Sequence, residues 1–116
     1  QDADIMSALI QAVKRGVLVR IISAKLSDKG VIDANTSWRQ SLTEAGVANK
    51  IDKSLFTHAK VILADYGTDK QIAYAGSVNF SENSLDKNRE LGILSSDITT
   101  INQLQKIFNE DWKLAN

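Results

Sequence analysis

The strongest constraint on the fold is a switch from helical to strand periodicity within the first 23 residues. In the segment 2–16, apolar residues recur at intervals of three and four, the spacing of one face of an amphipathic helix. Lys14 and Gly16 then supply a cation and a turn residue of the kind that ends helices. Val17–Ser23 follows as an apolar, largely β-branched run, typical of a strand covered on both faces. This order predicts an α/β protein with a mixed sheet flanked by helices.

The rest of the chain continues this alternation. The polar segment 24–36 reads as a connection, after which Ser37 and Gln40 fit a capping box and predict a helix that ends at Gly46. Two strands separated by the turn 65–71 predict a hairpin, and the segment 78–89 reads as a loop. The predicted strands are 47–51, 57–64, 72–77 and 90–96. A closing helix is predicted by the apolar stripe of Ile101, Leu104, Phe108 and Trp112.

Length and composition narrow the function classes. A chain of 116 residues is enough for one compact domain. Its 14 basic and 14 acidic residues cancel, so there is no overall basic excess of the kind that marks a general nucleic-acid binder, although a local patch is compatible with this balance. The absence of cysteine excludes disulfides, thiolate metal sites and a cysteine nucleophile. No apolar run in the sequence approaches the length of a membrane span.

The single histidine of the chain, His58, stands in the segment "HAKVILAD" at 58–65. Because strand side chains alternate between faces, His58 and Lys60 are predicted to point to the same side, and Asp65 to the other. Ser77 and Asn79 share a face at the end of the next predicted strand. A hairpin would place that end of the strand beside His58. A lysine, a hydroxyl and an amide around an imidazole suit an anionic oxygen centre, since they supply charge and hydrogen-bond donors.

Each of these residues also has an ordinary structural explanation. A lone strand histidine is often only buried or exposed to solvent, and a lysine can extend its ammonium group from a sheet edge into water. Asp65, Gly76-Ser77 and Asn79 are all residues that favour turns. A nucleophilic imidazole needs its second nitrogen held, and Glu90, at the start of the strand 90–96, is the best candidate for that contact. Taken singly, none of these residues establishes a function.

Together, "HAKVILAD" and "GSVNFSENSLDKNRELGIL" resemble the signature of the phospholipase D superfamily, His-x-Lys-x4-Asp followed by Gly-Ser-x-Asn. The resemblance is close over 57–94 and looser over "ALIQAVKRGVLVRII" and "FNEDWKLAN", which are similar to other parts of one family half-domain. The ten residues between Asp65 and Gly76 exceed the usual gap of the family. We interpret them as a longer hairpin turn; a shift of register there would displace Ser77 and Asn79.

The resemblance implies a role for each matching residue. His58 would attack phosphorus and form a phosphohistidine. Lys60, Ser77 and Asn79 would bind the phosphoryl oxygens, and Glu90 would orient His58. The other matching residues are less directly involved: Asp65 and Gly76 would be mainly structural, and Asn88 would support the phosphate site. No metal or other cofactor is implied, because lysine and hydrogen-bond donors meet the charge of the phosphate.

The resemblance also implies a partner, because in this family two His-x-Lys half-domains share one site. We therefore expect residues 1–116 to form one half-domain. The second would come from another copy of this chain, in a homodimer, or from the rest of a longer protein. The strand that would precede the first helix in a βαβ unit is expected to lie outside this sequence. The same motif serves phospholipid hydrolysis or phosphatidyl transfer, including cardiolipin synthesis, and the cleavage of DNA or RNA. The sequence favours phospholipid, with contact at a membrane surface; the alternatives are a nuclease and a non-catalytic half-domain used for assembly.

Overall fold

A computed structural model describes residues 3–25, 29–54 and 57–116, and for 29–34 the backbone alone. Three helices and five strands lie in these ranges, together with one π-helical turn (Asn83–Lys87). The helices are α1 (Ala3–Lys14), α2 (Lys29–Glu44) and α3 (Ile98–Leu114). The strands are β1 (Arg20–Ala24), β2 (Ala48–Asp52), β3 (Lys60–Ala64), β4 (Ile72–Gly76) and β5 (Gly92–Ser95).

Both strand directions occur in the fold, which confirms the predicted α/β class. β1 and β2 form a parallel pair whose register runs from Arg20 opposite Ala48 to Ala24 opposite Asp52. β3, β4 and β5 form an antiparallel sheet in that order. The parallel pairing thus belongs to one sheet, β1-β2, and the antiparallel pairings belong to the other, β3-β4-β5.

The core lies between α1, α2 and the parallel strands. Trp38, Leu42 and Val47 are buried there. Half-buried apolar side chains of α1, of β1 and of the residue before β1 surround them: Met6, Leu9, Ile10, Val13, Val19 and Ile21. This packing anchors α2 through its second half, and it confirms that the stripe of Trp38 and Leu42 faces the core.

α3 closes the other side of the domain. Ile101 is buried, and Phe108 stacks on Trp112 with ring centroids 5.9 Å apart. The Arg20 guanidinium of β1 lies 4.9 Å from the centre of the Phe108 ring. Beyond α3, the backbone of Asn116 exchanges two hydrogen bonds with Ile51, of 2.7 and 3.0 Å. The predicted apolar stripe of this helix is confirmed, because it forms the side that packs on the strands.

Two predicted boundaries in this part of the fold were wrong. α2 begins at Lys29, so residues 29–36, which were predicted as part of a connection, are helical. Ser37 therefore lies inside the helix and does not cap it. Residues such as Gly30 and Asn35 are weak helix formers, and burial of the second half of α2 outweighs that preference. β1 begins at Arg20 rather than Val17, because the Val17 N–H still donates to Ala12 O at the end of α1, over 3.1 Å.

Candidate active site

The start of β3 lies beside the end of β4, as the hairpin prediction requires. Lys60 is directly opposite Gly76 in the antiparallel register, so Ser77 emerges next to the residues that precede Lys60. The long spacing between Asp65 and Gly76 is taken up by the turn, where Asp65 and Gly67 have φ values of 53° and 85°. The strand register is therefore kept, and the extra residues leave Ser77 at the end of β3 that carries the His-x-Lys motif.

Gly76 allows β4 and β5 to approach closely at this corner. A Cβ atom at Gly76 would lie 2.6 Å from Leu91 O and would also collide with the Tyr74 ring. Without that atom, the Ser77 N–H donates to Leu91 O over 3.0 Å, and the Leu91 N–H donates to Ser77 Oγ over 3.1 Å. Glycine at this position thus fixes Ser77 beside the residue that precedes Leu91, which is Glu90.

His58 lies two residues before β3, so the prediction of a strand over 57–64 was wrong at its beginning. The segment is held by side chains rather than by strand pairing. Thr57 Oγ1 donates to Asp52 Oδ2 over 2.9 Å, and the carboxylate of Asp52 also accepts from the Ser54 backbone N–H and hydroxyl. Asp52 is only 2% exposed. A buried carboxylate at the end of β2 thus fixes the backbone immediately before His58.

Lys60 and His58 contact each other directly, as predicted for side chains on one face. Lys60 Nζ donates to His58 O over 2.8 Å and lies 3.1 Å from both Nδ1 and Nε2 of the imidazole. The His58 side chain is exposed, whereas Lys60 is half-buried. The ammonium group is therefore placed against the ring that the resemblance assigns as nucleophile.

Glu90 forms the centre of a second group of contacts. Ser77 Oγ donates to Oε2 of Glu90, while Ser84 Oγ donates to Oε1 and Asn88 Nδ2 lies 3.4 Å from the same oxygen. The hydrogen bond from Ser77, and next the one from Ser84, lower the pKa of the Glu90 carboxyl, and the charge of Lys60 contributes in the same direction. The two serine hydroxyls are thus the main groups that favour the ionised form of Glu90. Its predicted contact with His58 stays a prediction.

Ser84 is a residue that the sequence reasoning missed. It lies in the π-helical turn, is 2% exposed, and its Oγ accepts a hydrogen bond of 2.9 Å from the Asn79 N–H. Because the same hydroxyl donates to Glu90, Ser84 links the backbone of Asn79 to the carboxylate. Apart from Val78, Phe80 and Leu85, the segment 78–89 is polar, and no periodicity in it marked one serine as buried. Its spacing, five residues after Asn79 and six before Glu90, is the only signal the sequence holds.

The remaining predicted residues fall into two groups. Asn79 and Asn88 lie at the corner formed by Ser77 and Glu90, the side chain of Asn79 being exposed. Asp65 lies beyond the far end of β3, in the turn, where its carbonyl oxygen accepts from Thr68 N and Thr68 Oγ1. This position fits the structural role that the resemblance implies for Asp65. The roles of all these side chains in catalysis stay predictions.

The described ranges contain neither a metal-binding cluster nor a membrane-spanning helix. Over 3–25, 29–54 and 57–116, no three His, Cys, Asp or Glu side chains come together in a way that could hold a metal ion. Within the same ranges, no helix combines the length and apolar character needed to cross a bilayer.

Comparison with known proteins relates the whole chain to one family. The family described as "Cardiolipin synthase, PLD-like domain" matches residues 1–112. The cardiolipin synthase of Geobacillus kaustophilus is 32% identical over 116 residues, which are 99% of this chain and 22% of that protein. The polyphosphate kinase of Escherichia coli K12 is 28% identical over 113 residues, which are 94% of this chain and 16% of that protein. The chain thus spans about a fifth of the length of these relatives.

A solved structure supports the same fold. The phospholipase D family member Nuc from Salmonella typhimurium superposes with a TM-score of 0.85 at 24% identity, over 100% of this chain and 74% of that chain. The likeness extends over the strands that carry the His-x-Lys and Gly-Ser-x-Asn residues and over the helices around them. The match over residues 1–112 shows that the chain belongs to the PLD-like domain family described as "Cardiolipin synthase, PLD-like domain", and the superposition shows that it shares the fold of Nuc.

Proposed function

We propose that this domain is one half of a phosphodiesterase that hydrolyses or transfers phosphodiesters through a phosphohistidine at His58. The observation that carries the proposal is that Lys60 contacts His58 and also acts on the charge of Glu90, which accepts from Ser77 at the same corner of the β3–β4 hairpin. Imidazole is a competent nucleophile near neutral pH, and the ammonium group and neutral donors can meet the charge that develops on phosphorus.

In the first step, a nitrogen of His58 bonds to phosphorus as the bond from phosphorus to the leaving oxygen breaks. That oxygen takes a proton from an acid outside this domain, because the chain has a single histidine. In the second step, water or an alcohol loses a proton to the same group and attacks the phosphohistidine, which releases His58. Glu90 would hold the other imidazole nitrogen during both steps.

In this scheme, the hydrogen bond that Ser77 donates determines when Glu90 can hold the imidazole. A serine hydroxyl has one proton to donate, and in this structure Ser77 directs it to Glu90. To donate to a phosphoryl oxygen instead, Ser77 must release Glu90, which would leave Oε2 able to accept from the imidazole. Binding of the phosphate and orientation of His58 are therefore coupled through one hydroxyl in this proposal.

Phospholipid is the favoured substrate. The cardiolipin synthases to which the chain is similar are named for the synthesis of a lipid, and the net charge of the chain gives no general affinity for nucleic acid.

The test compares a labelled phospholipid with a labelled oligonucleotide in the active assembly, with His58→Ala as the blank. Lipid turnover that His58→Ala removes is the expected result. Cleavage of the oligonucleotide alone would favour a nuclease, and inactivity on both substrates would favour the non-catalytic half-domain.

We expect Ser84→Ala to raise the pKa of Glu90, because the variant loses the second strongest of the hydrogen bonds that hold the carboxylate ionised. Because the pKa of Glu90 is lowered in the folded state, its ionisation stabilises the fold at pH values above the ordinary pKa of a glutamate. That stability is lost as the pH falls through the folded-state pKa. The folded-state pKa of Glu90 in Ser84→Ala lies closer to that of the unfolded chain, so the variant should have less of this stability to lose, and the loss should be complete at a higher pH. The Glu90 carboxyl can be followed by ¹³C NMR titration of this chain. Ser96→Ala, at an exposed serine of the β5–α3 connection, is the matched control, and an equal shift in both variants would contradict the assignment.

We also expect activity to depend on assembly. One His-x-Lys motif cannot supply both nucleophile and acid, so the partner motif must come from a twofold dimer or from the rest of a longer protein. Light scattering gives the mass, and an activity assay over a dilution series shows whether a homodimer dissociates. In a homodimer, specific activity should fall on dilution as the monomer forms; a trimmed half should be monomeric and inactive. A monomer with full activity at high dilution would contradict the shared site.

A further inference from the structure

A cleft separate from the Glu90 cluster opens at the carboxyl ends of the parallel strands. Its volume is about 210 Å³, and three cationic side chains line it: Lys25 after β1, Arg39 from α2 and Lys53 after β2. Ser23, Asn35 and Thr36 add polar groups to the same wall. We call this the cationic cleft. Ligands of open α/β sheets commonly bind at this end of parallel strands.

The charge of the cationic cleft is concentrated and of one sign. Among the residues that the structure describes, its lining contains no carboxylate, although the chain as a whole is neutral. Arg39 is held in place, since its Nε donates to Asn49 Oδ1 over 3.0 Å. Lys25 and Lys53 are exposed, which leaves their ammonium groups able to move onto a ligand. Such a surface raises the local concentration of anions.

The cationic cleft is tied to the His58 segment through Asp52. Lys25 and Lys53 follow directly after Ala24 and Asp52, which are partners in the β1–β2 register, and the Lys25 N–H donates to Asp52 O over 3.1 Å. The Asp52 carboxylate in turn accepts from Thr57, the residue before His58. The cleft and the proposed nucleophile are therefore attached to one buried residue.

We propose that the cationic cleft binds a second phosphate group of the substrate whose phosphodiester reacts at His58, an inference that rests on the proposed function. Three cations with hydroxyl and amide donors suit a doubly charged tetrahedral anion better than a single carboxylate. The cleft is smaller than the roughly 300–1,000 Å³ of sites for drug-sized ligands, so it fits a terminal phosphate rather than a whole lipid head group. A phosphomonoester on the substrate and free inorganic phosphate share this chemistry.

The first arm of the test measures binding alone and needs no activity. Inorganic phosphate is titrated into the ¹⁵N-labelled chain at constant ionic strength, with chloride as the reference anion. Amide shifts are expected at Thr36 and Lys53, and Lys25→Gln/Lys53→Gln should weaken the phosphate affinity about tenfold. The control variant Lys14→Gln/Lys70→Gln removes the same charge from exposed sites elsewhere. It should change the phosphate affinity by less than about twofold. Equal losses in both variants, or shifts that chloride reproduces, would overturn the site.

The second arm asks where the phosphate comes from. In the active assembly, Lys25→Gln/Lys53→Gln should raise KM for a phospholipid with a phosphomonoester on its head group, and leave kcat and the KM of the lipid without that group unchanged. Equal effects on both lipids would overturn the assignment to a second substrate phosphate. Inactivity of the wild-type assembly on both lipids, with phosphate binding intact in the first arm, would contradict the proposed function and not the site.

Discussion

Replacement of His58 by alanine is expected to reduce turnover at least about 10⁴-fold, the scale seen when a covalent nucleophile is removed. His58 is the only histidine of the chain, so no neighbouring imidazole within the domain can replace it. Its exposed side chain contributes little to the core, and the variant should fold normally. The measurement is the steady-state rate on the preferred phosphodiester in the active assembly.

Gln103→Ala, on the exposed side of α3, is the matched control and should keep full activity. Circular dichroism and light scattering of both variants show whether fold and assembly are preserved. A His58→Ala assembly of wild-type rate would remove His58 from the reaction and leave the contact with Lys60 as a structural feature.

Lys60→Ala should lower the rate by roughly a hundred- to a thousandfold, as expected for loss of one electrostatic donor to a transition state. The ammonium group lies 3.1 Å from both ring nitrogens of His58 and donates to its carbonyl oxygen. Its removal would therefore take away both the proposed phosphate contact and a contact with the proposed nucleophile. Lys60→Arg should recover little activity, because the planar guanidinium cannot occupy the same point beside the ring.

Lys87→Ala is the matched control for the loss of a lysine charge. Lys87 pairs with Glu82 at the surface over 2.9 Å, and exposed ion pairs contribute little to stability. Its rate should stay within about twofold of wild type. Unchanged kcat and KM in both Lys60 variants would assign Lys60 to a structural role.

Elements with a strong local pattern could be predicted from the sequence. The apolar stripe that contains Ile101 identified α3, and the β-branched run that ends at Ser23 identified β1 as a strand, which pairs in parallel with β2. The hairpin of β3 and β4 followed from two short strands around a polar turn. These predictions succeeded because periodicity and turn chemistry are properties of neighbouring residues.

Features set by distant contacts could not be predicted in this way. Residues 57–59 were predicted as the beginning of the strand 57–64, yet the buried Asp52 carboxylate binds Thr57 and the backbone stays outside the ladder. Ser84 is buried only because the π-helical turn folds it between Asn79 and Glu90. The resemblance to the family identified the residues of the corner, but the hydrogen bonds between Ser77, Ser84 and Glu90 depend on the three-dimensional register of β4 and β5.

The most direct test of the central claim is to trap the covalent intermediate. The active assembly is mixed with a phosphodiester substrate, quenched within the first turnovers, digested under alkaline conditions and analysed by mass spectrometry. The central claim predicts an adduct on the peptide that contains His58, in which phosphorus keeps its remaining ester group and its bond to nitrogen is stable in base and labile in acid; the adduct should be absent from His58→Ala. Substrate turnover at full rate with no adduct on His58 at any quench time, or with the adduct on another residue, would contradict it.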